Sequence, residues 1–481
     1  VVLEHWAQRI SSSLASHLAD TFTAAILAIL ESPKLDLRLI DLTGPTSLSQ
    51  IHRWNARPYP INDVCIHHAF EAQARRYPNA EAVCSFDGAL SYAELDTLAS
   101  NLAGELIAHG VTRGVLVPFI LSKSYRAVVG ILAILKAGGA GVPLDSRAPH
   151  HRLQTIVSDT KARVILCSSE FQHSASAIVS AVVVVDAVLA VREHLRSHQL
   201  QDPSRPSDPA FVIFTSGSTG TPKGSILEHG SLSTSALPLQ PVLNMHSGSR
   251  VLHFASYTFD VSIEEVCFTL MHGACICVVS EAERMDDLGS AMRRLGVTWA
   301  ELTPTVAAMI SPGDVPCLQT LVVGGEIPSQ SVITSWALKV QLINTYGPSE
   351  CSVTCTATDP LTPKAHGAHV GFPVGCRAWI VNLQTSSGLV PVGAVGELVV
   401  EGRIVARGYL NNPALSKARF LSSAPWLPDD AAGPSSLYLT GDLVRYSDDG
   451  SLTFVGRRDG QAKLHGQRLE GPCCIFGSAY R

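Results

Sequence analysis

Apolar positions recur at two different spacings along the chain. In the first sixty residues, four apolar side chains fall on one face of a predicted helix that Pro33 ends, and an extended connector follows. Residues 64–200 then alternate helical stretches with short β-branched runs such as Val115–Leu121. This alternation predicts α/β layers.

The same alternation resumes after a proline-rich connector at residues 202–209. From about residue 381 the apolar runs shorten and glycine and proline become frequent, which predicts a small lobe rich in β-strands. The pattern therefore predicts an α/β fold with a connector and three subdomains, over about 1–60, 61–205, 206–380 and 381–455.

Composition narrows the function class. The formal net charge of −5 gives no basic field of the kind that nucleic-acid-binding proteins use. The longest apolar runs, such as Val128–Leu135, are far shorter than the roughly 20 residues of a membrane span. The chain starts without a methionine or a signal-peptide pattern, and its twelve cysteines lack zinc-type spacing. We therefore expect a cytoplasmic piece of a longer polypeptide, with no nucleic-acid or membrane partner.

One glycine-rich string follows the predicted strand FVIF. It reads Thr215, Ser216, Gly217, Ser218, Thr219, Gly220, Thr221, Pro222, Lys223, Gly224. Glycines allow close backbone approach, successive N–H groups and hydroxyls can form an anion-binding nest, and Lys223 adds a positive charge. A loop of this composition alone is more often a linker, but the ordered string favours phosphate binding. It differs from the GxxxxGK[ST] phosphate loop, so a different ATP-binding fold is implied.

This string resembles the phosphate loop of the adenylate-forming superfamily. Seven further stretches occur in the order of its nonribosomal peptide synthetase adenylation domains, together covering about residues 60–470. They are LSYAEL (90–95), LKAGGAGVPLD (135–145), FDVS (259–262), NTYGPSE (344–350), GELVVEGRIVARGYL (396–410), YLTGDL (438–443) and GRRDGQAKLHGQRLE (456–470). The resemblance implies a large N-terminal lobe of two α/β subdomains and a barrel-like β subdomain, and residues 1–60 resemble the connector after a condensation domain.

The resemblance also implies a reaction. A carboxylate attacks the α-phosphorus of ATP and pyrophosphate leaves, so catalysis is mainly positioning and charge neutralisation. Thr215, Lys223 and Glu350 are the implied catalytic residues, with Glu350 as the Mg²⁺ ligand. The implied ATP-binding residues are Thr215, Ser216, Gly217, Ser218, Thr219, Gly220 and Lys223 at the phosphates, Asn344, Tyr346 and Gly347 at adenine, and Asp442 and Arg457 at ribose. Taken singly, YGPSE and TGDL would each be interpreted as a turn.

Asp260 in FDVS indicates the substrate class. The family places an aspartate there against the α-ammonium of the substrate, and at about 4 Å such a pair is worth roughly 4 kcal/mol before desolvation. Ligases that form acyl-CoA have no ammonium to pair and usually lack this aspartate. We therefore expect an α-amino acid, loaded in the intact parent onto the phosphopantetheine of a carrier domain.

The substrate-lining positions that follow from the motifs contain two further carboxylates. These positions are Asp260, Val261, Glu264, Glu301, Val322, Gly324, Thr345, Val353 and Thr354. Burying Glu264 and Glu301 without a partner costs several kcal/mol, so a cationic amino acid such as ornithine, arginine or lysine is the economical hypothesis. The alternative is that one of the two turns away or pairs with a cation of the protein.

The C-terminal residues depart from the family. GRRD (456–459) resembles the family's hinge between the large lobe and the C-terminal lid, with Asp459 at the pivot. After GQRLE, however, the sequence continues as GPCCIFGSAYR. We expect residues 456–481 to be a hinge and a truncated lid remnant, from a mis-spliced gene model or a true short protein. We also expect residues 460–481 to be disordered, ATP binding to be weak, and adenylation to be at least about 10²-fold lower than with a complete lid.

Three functions therefore compete. The first is amino-acid adenylation, the second a free-standing acyl- or aryl-CoA ligase, and the third a decayed fragment that binds nucleotide without turnover. Other suggestive residues have plainer interpretations: His67 and His68 lack the condensation motif HHxxxDG and are interpreted as a helix start with packing.

Overall fold

The structure is a computed structural model. It describes residues 4–6, 8, 10–34, 36, 40–192, 204–215, 222–384, 388–427, 436–458, 462–464 and 467–469. The predicted phosphate-loop residues Ser216, Gly217, Ser218, Thr219 and Gly220 and the predicted hinge residue Asp459 lie outside the described residues.

Sixteen α-helical segments are numbered along the described chain. They are α1 (Ser12–Glu31), α2 (Pro45–Asn55), α3 (Ile66–Arg76), α4 (Tyr92–Ala108), α5 (Tyr125–Lys136), α6 (His150–Thr160), α7 (Gln172–Ser176), α8 (Val185–Arg192), α9 (His229–Val242), α10 (Val261–Ile263), α11 (Thr269–Met271), α12 (Glu281–Asp286), α13 (Leu288–Leu295), α14 (Pro304–Ala307), α15 (Gln330–Trp336) and α16 (Pro413–Arg419). A π-helical turn, Glu264–Phe268, joins α10 to α11.

The strands are numbered in the same way. They are β1 (Glu81–Ser85), β2 (Gly88–Ser91), β3 (Leu116–Ile120), β4 (Ala140–Pro143), β5 (Val164–Cys167), β6 (Ala181–Val184), β7 (Pro209–Thr215), β8 (Lys223–Glu228), β9 (Arg250–His253), β10 (Cys275–Val278), β11 (Trp299–Leu302), β12 (Thr320–Gly324), β13 (Gln341–Tyr346), β14 (Thr356–Ala357), β15 (His369–Pro373), β16 (Arg377–Val381), β17 (Gly396–Glu401), β18 (Phe420–Leu421), β19 (Leu437–Tyr446), β20 (Leu452–Arg457), β21 (Ala462–Leu464) and β22 (Gln467–Leu469).

Two sheets organise the large lobe. The first has six strands in the order β6-β5-β3-β4-β7-β8, parallel except for the antiparallel pair β7–β8. The second runs β2-β1-β10-β9-β11-β12-β13-β14-β15 and continues through β20, β19 and β17 to β16. Its segment β10-β9-β11-β12-β13 is parallel, and the strands from β13 onward pair antiparallel. The predicted α/β class and the small β-rich lobe are both present.

The sheets exchange strands across the predicted boundary at residue 205. β1, from the first predicted subdomain, pairs with β10 of the second sheet, and β2 pairs with β1. β7 and β8, from the second predicted subdomain, complete the first sheet. The domain boundaries themselves stay a prediction. The hydrophobic pattern along the chain does not indicate which distant strand a segment pairs with.

The connector predicted over residues 1–60 contains a helix that the sequence analysis missed. α2 begins with Pro45 in its first turn, a favoured position for proline, and its Ile51 is fully buried in the core of the small β-rich lobe. Asn55 donates to the carbonyl of Ala378 at 2.9 Å and accepts from its N–H at 3.0 Å. The extended connector is therefore wrong at residues 45–55, which dock on β16.

α1 is the one described helix long and apolar enough to cross a membrane by length and composition. Its apolar window has a mean hydropathy of 1.5 and is 6% buried. A core helix or a signal sequence can meet the same criterion, so this is weak evidence. The expected absence of a membrane partner stays a prediction.

Two short strands lie in the region predicted to be disordered. β21 and β22 pair antiparallel, with Lys463 opposite Arg468. The expectation of disorder is therefore wrong for residues 462–464 and 467–469. The other residues of 460–481 lie outside the described residues.

Candidate active site

The strand pair β7–β8 fixes both ends of the predicted phosphate loop. Thr215 is the last residue of β7, and it lies directly opposite Lys223, the first residue of β8. Because the two strands pair antiparallel, the last residue of β7 and the first residue of β8 lie at the same end of the pair. The register therefore places Thr215 and Lys223 together, as the motif predicts.

Lys223 and Glu350 meet in a buried polar cluster. The Lys223 ammonium donates to Oε1 of Glu350 at 2.9 Å and to the Tyr409 hydroxyl at 3.1 Å, and it lies 4.7 Å from the centre of the Tyr409 ring. The Tyr409 hydroxyl in turn donates to Oε1 of Glu350 at 2.7 Å. Glu350 is 1% exposed, so its carboxylate meets these donors away from solvent. Lysine and carboxylate thus neutralise each other here.

Tyr409 is a site residue that the sequence analysis overlooked. Burial and the nearby Glu350 carboxylate raise the pKa of Tyr409, which keeps its hydroxyl protonated and able to donate. Its hydroxyl also lies 3.2 Å from that of Tyr438. The stretch GYL at residues 408–410 was part of the resemblance, and the tyrosine within it was the available signal.

The residues predicted at the nucleoside are also brought together. The Tyr346 hydroxyl donates to Oδ2 of Asp442 at 2.5 Å, and Arg457 donates to Oδ1 of the same carboxylate at 2.8 Å. Asp442 and Arg457 face each other across the β19–β20 pair. Tyr346 and Arg457 are the last residues of β13 and β20, whereas Asp442 lies in the middle of β19.

Asn344 has a different position from the one implied at adenine. It is 2% exposed, and its side-chain amide donates to the carbonyls of Gly367 and His369, at 3.2 and 2.7 Å. Asn344 therefore anchors the 366–369 turn to β13, and its contribution to a nucleotide site is to hold this neighbouring backbone.

The turn after β13 is tightly constrained. Ser352 and Val353 have positive φ angles of 55° and 80°, and a β-branched residue in that region is strained. The Ser235 hydroxyl donates to the carbonyls of Ser352 and Thr354, at 3.0 and 3.4 Å, and holds the turn. This turn carries Glu350 at one end and the predicted substrate-lining Val353 and Thr354 at the other.

Strand register assembles the predicted substrate pocket. Residues side by side on neighbouring parallel strands point to the same face, and Glu301 lies beside Val322, while Gly324 lies beside Thr345. A Cβ added at Gly324 would lie 2.8 Å from the Thr345 hydroxyl and 3.4 Å from Oε1 of Glu301. Glycine therefore keeps this face open. Asp260 and Val261 start the neighbouring helical segment.

Glu264 lies on the π-helical turn, a feature often found at functional sites. Glu264 is fully buried and Glu301 is 6% exposed. Neither forms an ion pair with a described lysine, arginine or histidine, and both oxygens of Glu264 and one of Glu301 lack a hydrogen bond of ordinary geometry to any described residue. Burial and the neighbouring carboxylates of Glu265 and Asp260 raise the pKa of Glu264 to about 8, and burial and Glu264 raise the pKa of Glu301.

These carboxyls make the stability of the free protein depend on pH. The pKa of Glu264 is about 8 in the folded protein against 4.5 for an ordinary glutamate, so the folded chain binds more protons between these values. The contribution of Glu264 to the free energy of unfolding is therefore complete below about pH 4.5 and is lost as the pH rises through about 8. Between about pH 6 and about pH 9 the free energy of unfolding should fall in the parent. In the Glu264→Gln/Glu301→Gln variant that fall should be smaller by roughly 1–3 kcal/mol. Parallel pH profiles in thermal unfolding would contradict this.

A second buried network supports the Asp260 segment, and sequence analysis missed it. Glu265 accepts from His253 Nδ1 at 2.7 Å and from the N–H of Ala255 at 2.9 Å. The Lys123 ammonium donates to the carbonyls of His253 and Ala255, at 3.2 and 2.8 Å. Burial lowers the pKa of Lys123 to about 7, opposed by the charge of Glu265. The network fixes the backbone that leads from β9 to Asp260.

Comparison with known proteins agrees with this fold and site. The family model described as "AMP-binding enzyme" matches residues 70–410. The chain is 42% identical over 468 residues to the nonribosomal peptide synthetase atnA of Emericella nidulans, covering 97% of this chain and 6% of that protein. It is 41% identical over 450 residues to the N-benzoylphenylalaninol synthetase apmA of Penicillium brevicompactum, covering 93% of this chain and 19% of that protein.

A solved structure extends the comparison to the fold. The nonribosomal peptide synthetase FmoA3, in a form bound to alpha-methyl-L-serine-AMP, superimposes with a TM-score of 0.82 at 24% identity, over 96% of this chain and 53% of that one. The fold and these comparisons define an enzyme of the adenylate-forming class. The chain belongs to the AMP-binding enzyme family, and the predicted resemblance is confirmed. It spans only a small part of its curated relatives' length.

Proposed function

We propose that this chain binds ATP with Mg²⁺ and activates an α-amino acid as its aminoacyl adenylate, with release of pyrophosphate. The proposal rests on three groups of motif side chains that come together in the fold. They are the Lys223–Glu350 pair, the Tyr346–Asp442–Arg457 cluster and the carboxylate-lined pocket next to Asp260.

The donor groups suit the proposed ligands. Glu350 is a buried, hard oxygen donor of the type that Mg²⁺ prefers, and Lys223 beside it supplies the charge that phosphates need. Bound Mg²⁺ would neutralise charge on the phosphates. Lys223 would exchange its bond with Glu350 for phosphate oxygens, while Asp442, held by Arg457, would accept from the ribose hydroxyls. These residues position the reactants and stabilise charge that develops as the carboxylate attacks.

Asp260 supports an amino acid in preference to a fatty or aryl acid. It is half-buried at the start of α10, and its Oδ1 accepts from the Val261 N–H at 3.0 Å. An ammonium at this position would also relieve the repulsion between Asp260 and the pocket glutamates. Transfer of the aminoacyl group to the phosphopantetheine thiol of a carrier domain, in a parent that also contains a condensation domain, is part of the same proposal.

The finer proposal is that the side chain of the amino acid is cationic. Burial, Glu265 and Asp260 raise the pKa of Glu264, and burial and Glu264 raise the pKa of Glu301. Neither glutamate has a cationic partner among the described residues. A basic side chain would supply that cation, whereas an apolar one would leave both carboxyls buried and protonated. The alternative that either glutamate pairs with a protein cation finds no support in the described residues.

An exchange panel tests both levels of the proposal. We expect ornithine, arginine or lysine to give the highest ATP–pyrophosphate exchange among the amino acids. Glu264→Gln and Glu301→Gln should lower kcat/KM for that amino acid about 10–10²-fold, since each lost contact of about 1.4–2.8 kcal/mol changes the ratio by that much. The matched control is Glu281→Gln, which removes an exposed carboxylate paired with Arg284.

The outcomes separate the two levels. Preference for leucine or phenylalanine over every basic amino acid would rule out the cationic substrate and leave amino-acid activation intact. Preference for aryl or fatty acids over all amino acids would refute the assignment of Asp260.

A further inference from the structure

The first turn of α3 carries a thiol and two imidazoles that the proposed reaction does not use. Cys65 is the residue that precedes α3 at its N-terminus, and His67 and His68 follow within the first turn. One ligand atom from each of the three lies within 4.8 Å of the others. In the part of the chain that the structure describes, this is the single group of three or more His, Cys, Asp or Glu side chains found that close in a metal-binding arrangement.

We propose that Cys65, His67 and His68 form a binding site for a borderline-soft divalent cation of the Zn²⁺ class. One thiolate sulfur and two imidazole nitrogens are ligands that Zn²⁺ binds, whereas Mg²⁺ selects oxygen donors. The site therefore differs in chemistry from the proposed Mg²⁺ position at Glu350. It also goes beyond the proposed function, since it uses none of the nucleotide-binding residues.

The geometry requires a small adjustment. Tetrahedral zinc with ordinary bond lengths separates its sulfur and nitrogen ligands by about 3.4–3.6 Å. Cys65 and His67 are each 1% exposed, whereas His68 is exposed, so we assign the adjustment to the His68 side chain. The exposed His68 also provides the route by which an ion reaches the site, and a solvent molecule would complete the four ligands.

The surroundings give such an ion a structural role. The His67 ring packs against that of His229 at the start of α9, with centres 5.2 Å apart. The N–H of Ile66 donates to Nδ1 of the same His229 at 3.3 Å. An ion bound by the first turn of α3 would brace the contact between α3 and α9. Because an ion that binds only the folded chain stabilises it, thermal stability should rise with zinc.

Cobalt titration tests the site, since four-coordinate Co²⁺ with a thiolate ligand has characteristic visible and near-ultraviolet absorption. All proteins carry Cys473→Ser/Cys474→Ser, because this adjacent pair lies outside the described residues and could bind metal itself. We expect one equivalent of Co²⁺ to give the thiolate band and Zn²⁺ to displace it. The exposed-site variant His68→Ala should bind at least about 10-fold more weakly, and Cys65→Ser should lose the thiolate band.

The control is Cys317→Ser, which removes an exposed cysteine elsewhere and should leave the titration unchanged. Zinc should raise Tm in the parent and in this control, and not in His68→Ala. A six-coordinate cobalt spectrum without a thiolate band, or equal affinity in the parent and His68→Ala, would overturn the proposal. If either result is found, the two histidines are packing residues only. His68→Ala keeps the test decisive even if the buried Cys65→Ser variant fails to fold.

Discussion

Glu350→Gln is expected to lower ATP–pyrophosphate exchange about 10²–10³-fold, the usual cost of one lost preorganised electrostatic contact. The amide keeps the shape of the side chain and its bonds from Lys223 and Tyr409, but it lacks the negative charge that a divalent cation requires. ATP binding measured without Mg²⁺ should change far less than exchange. The assay uses this chain fused to the lid of a relative, because we expect the lid to contribute to the chemistry.

Two further variants, one in the same cluster and one on the surface, help to interpret the result for Glu350→Gln. Lys223→Ala should weaken ATP binding itself, because it removes the positive charge at the end of the phosphate loop. Glu105→Gln, on the surface of α4, removes a carboxylate remote from the cluster and should leave exchange unchanged. An unchanged exchange rate in Glu350→Gln would remove Glu350 from the metal site.

Gly347→Ala is expected to reduce exchange by at least about 10²-fold, the effect of displacing a positioned group by roughly 1 Å. A Cβ added at Gly347 would overlap the carbonyl oxygen of Val353 and lie 2.8 Å from Cα of Thr354. Both contacts are with backbone, so the turn must shift as a whole. Because the turn connects Tyr346 to Glu350, the proposed nucleotide contact and the proposed metal ligand would move together.

Gly388→Ala is the matched control, since a Cβ added there meets no atom within 4 Å. Exchange kinetics and thermal unfolding should be measured on both variants. A folded Gly347→Ala protein with parental exchange would show that the turn tolerates the shift. In that case the constrained turn would have no part in catalysis.

The motifs predicted one shared nucleotide site, and the residues proposed for it lie on strands that pair in the sheets. Tyr346 ends β13, Lys223 begins β8, and Asp442 lies within β19 beside β20. Once these strands pair, the motif residues converge without further information. The substrate face follows for the same reason, since the in-register pairs of β11, β12 and β13 are dictated by parallel pairing.

The features that sequence analysis missed depend on distant contacts. α2 is held on the small β-rich lobe by Asn55, which bonds to Ala378 of β16 more than three hundred residues away. The motif predicts that the Asn344 amide binds a ligand, but in the structure this amide donates hydrogen bonds to backbone carbonyls of a later turn. The Lys123–Glu265 network joins segments whose proximity no local periodicity indicates.

Binding of non-reactive aminoacyl adenylate analogues tests the central claim most directly, because it needs no turnover. Calorimetry would compare a 5′-sulfamoyladenosine carrying ornithine, lysine or arginine with the analogue lacking the α-amino group and with aryl and fatty acyl analogues. We expect an α-aminoacyl analogue to bind tightest, with loss of the α-amino group costing at least about 10-fold, or 1.4 kcal/mol. Asp260→Asn should remove most of that difference. Tighter binding of the aryl or fatty acyl analogues, or equal binding with and without the α-amino group, would contradict amino-acid activation by this chain.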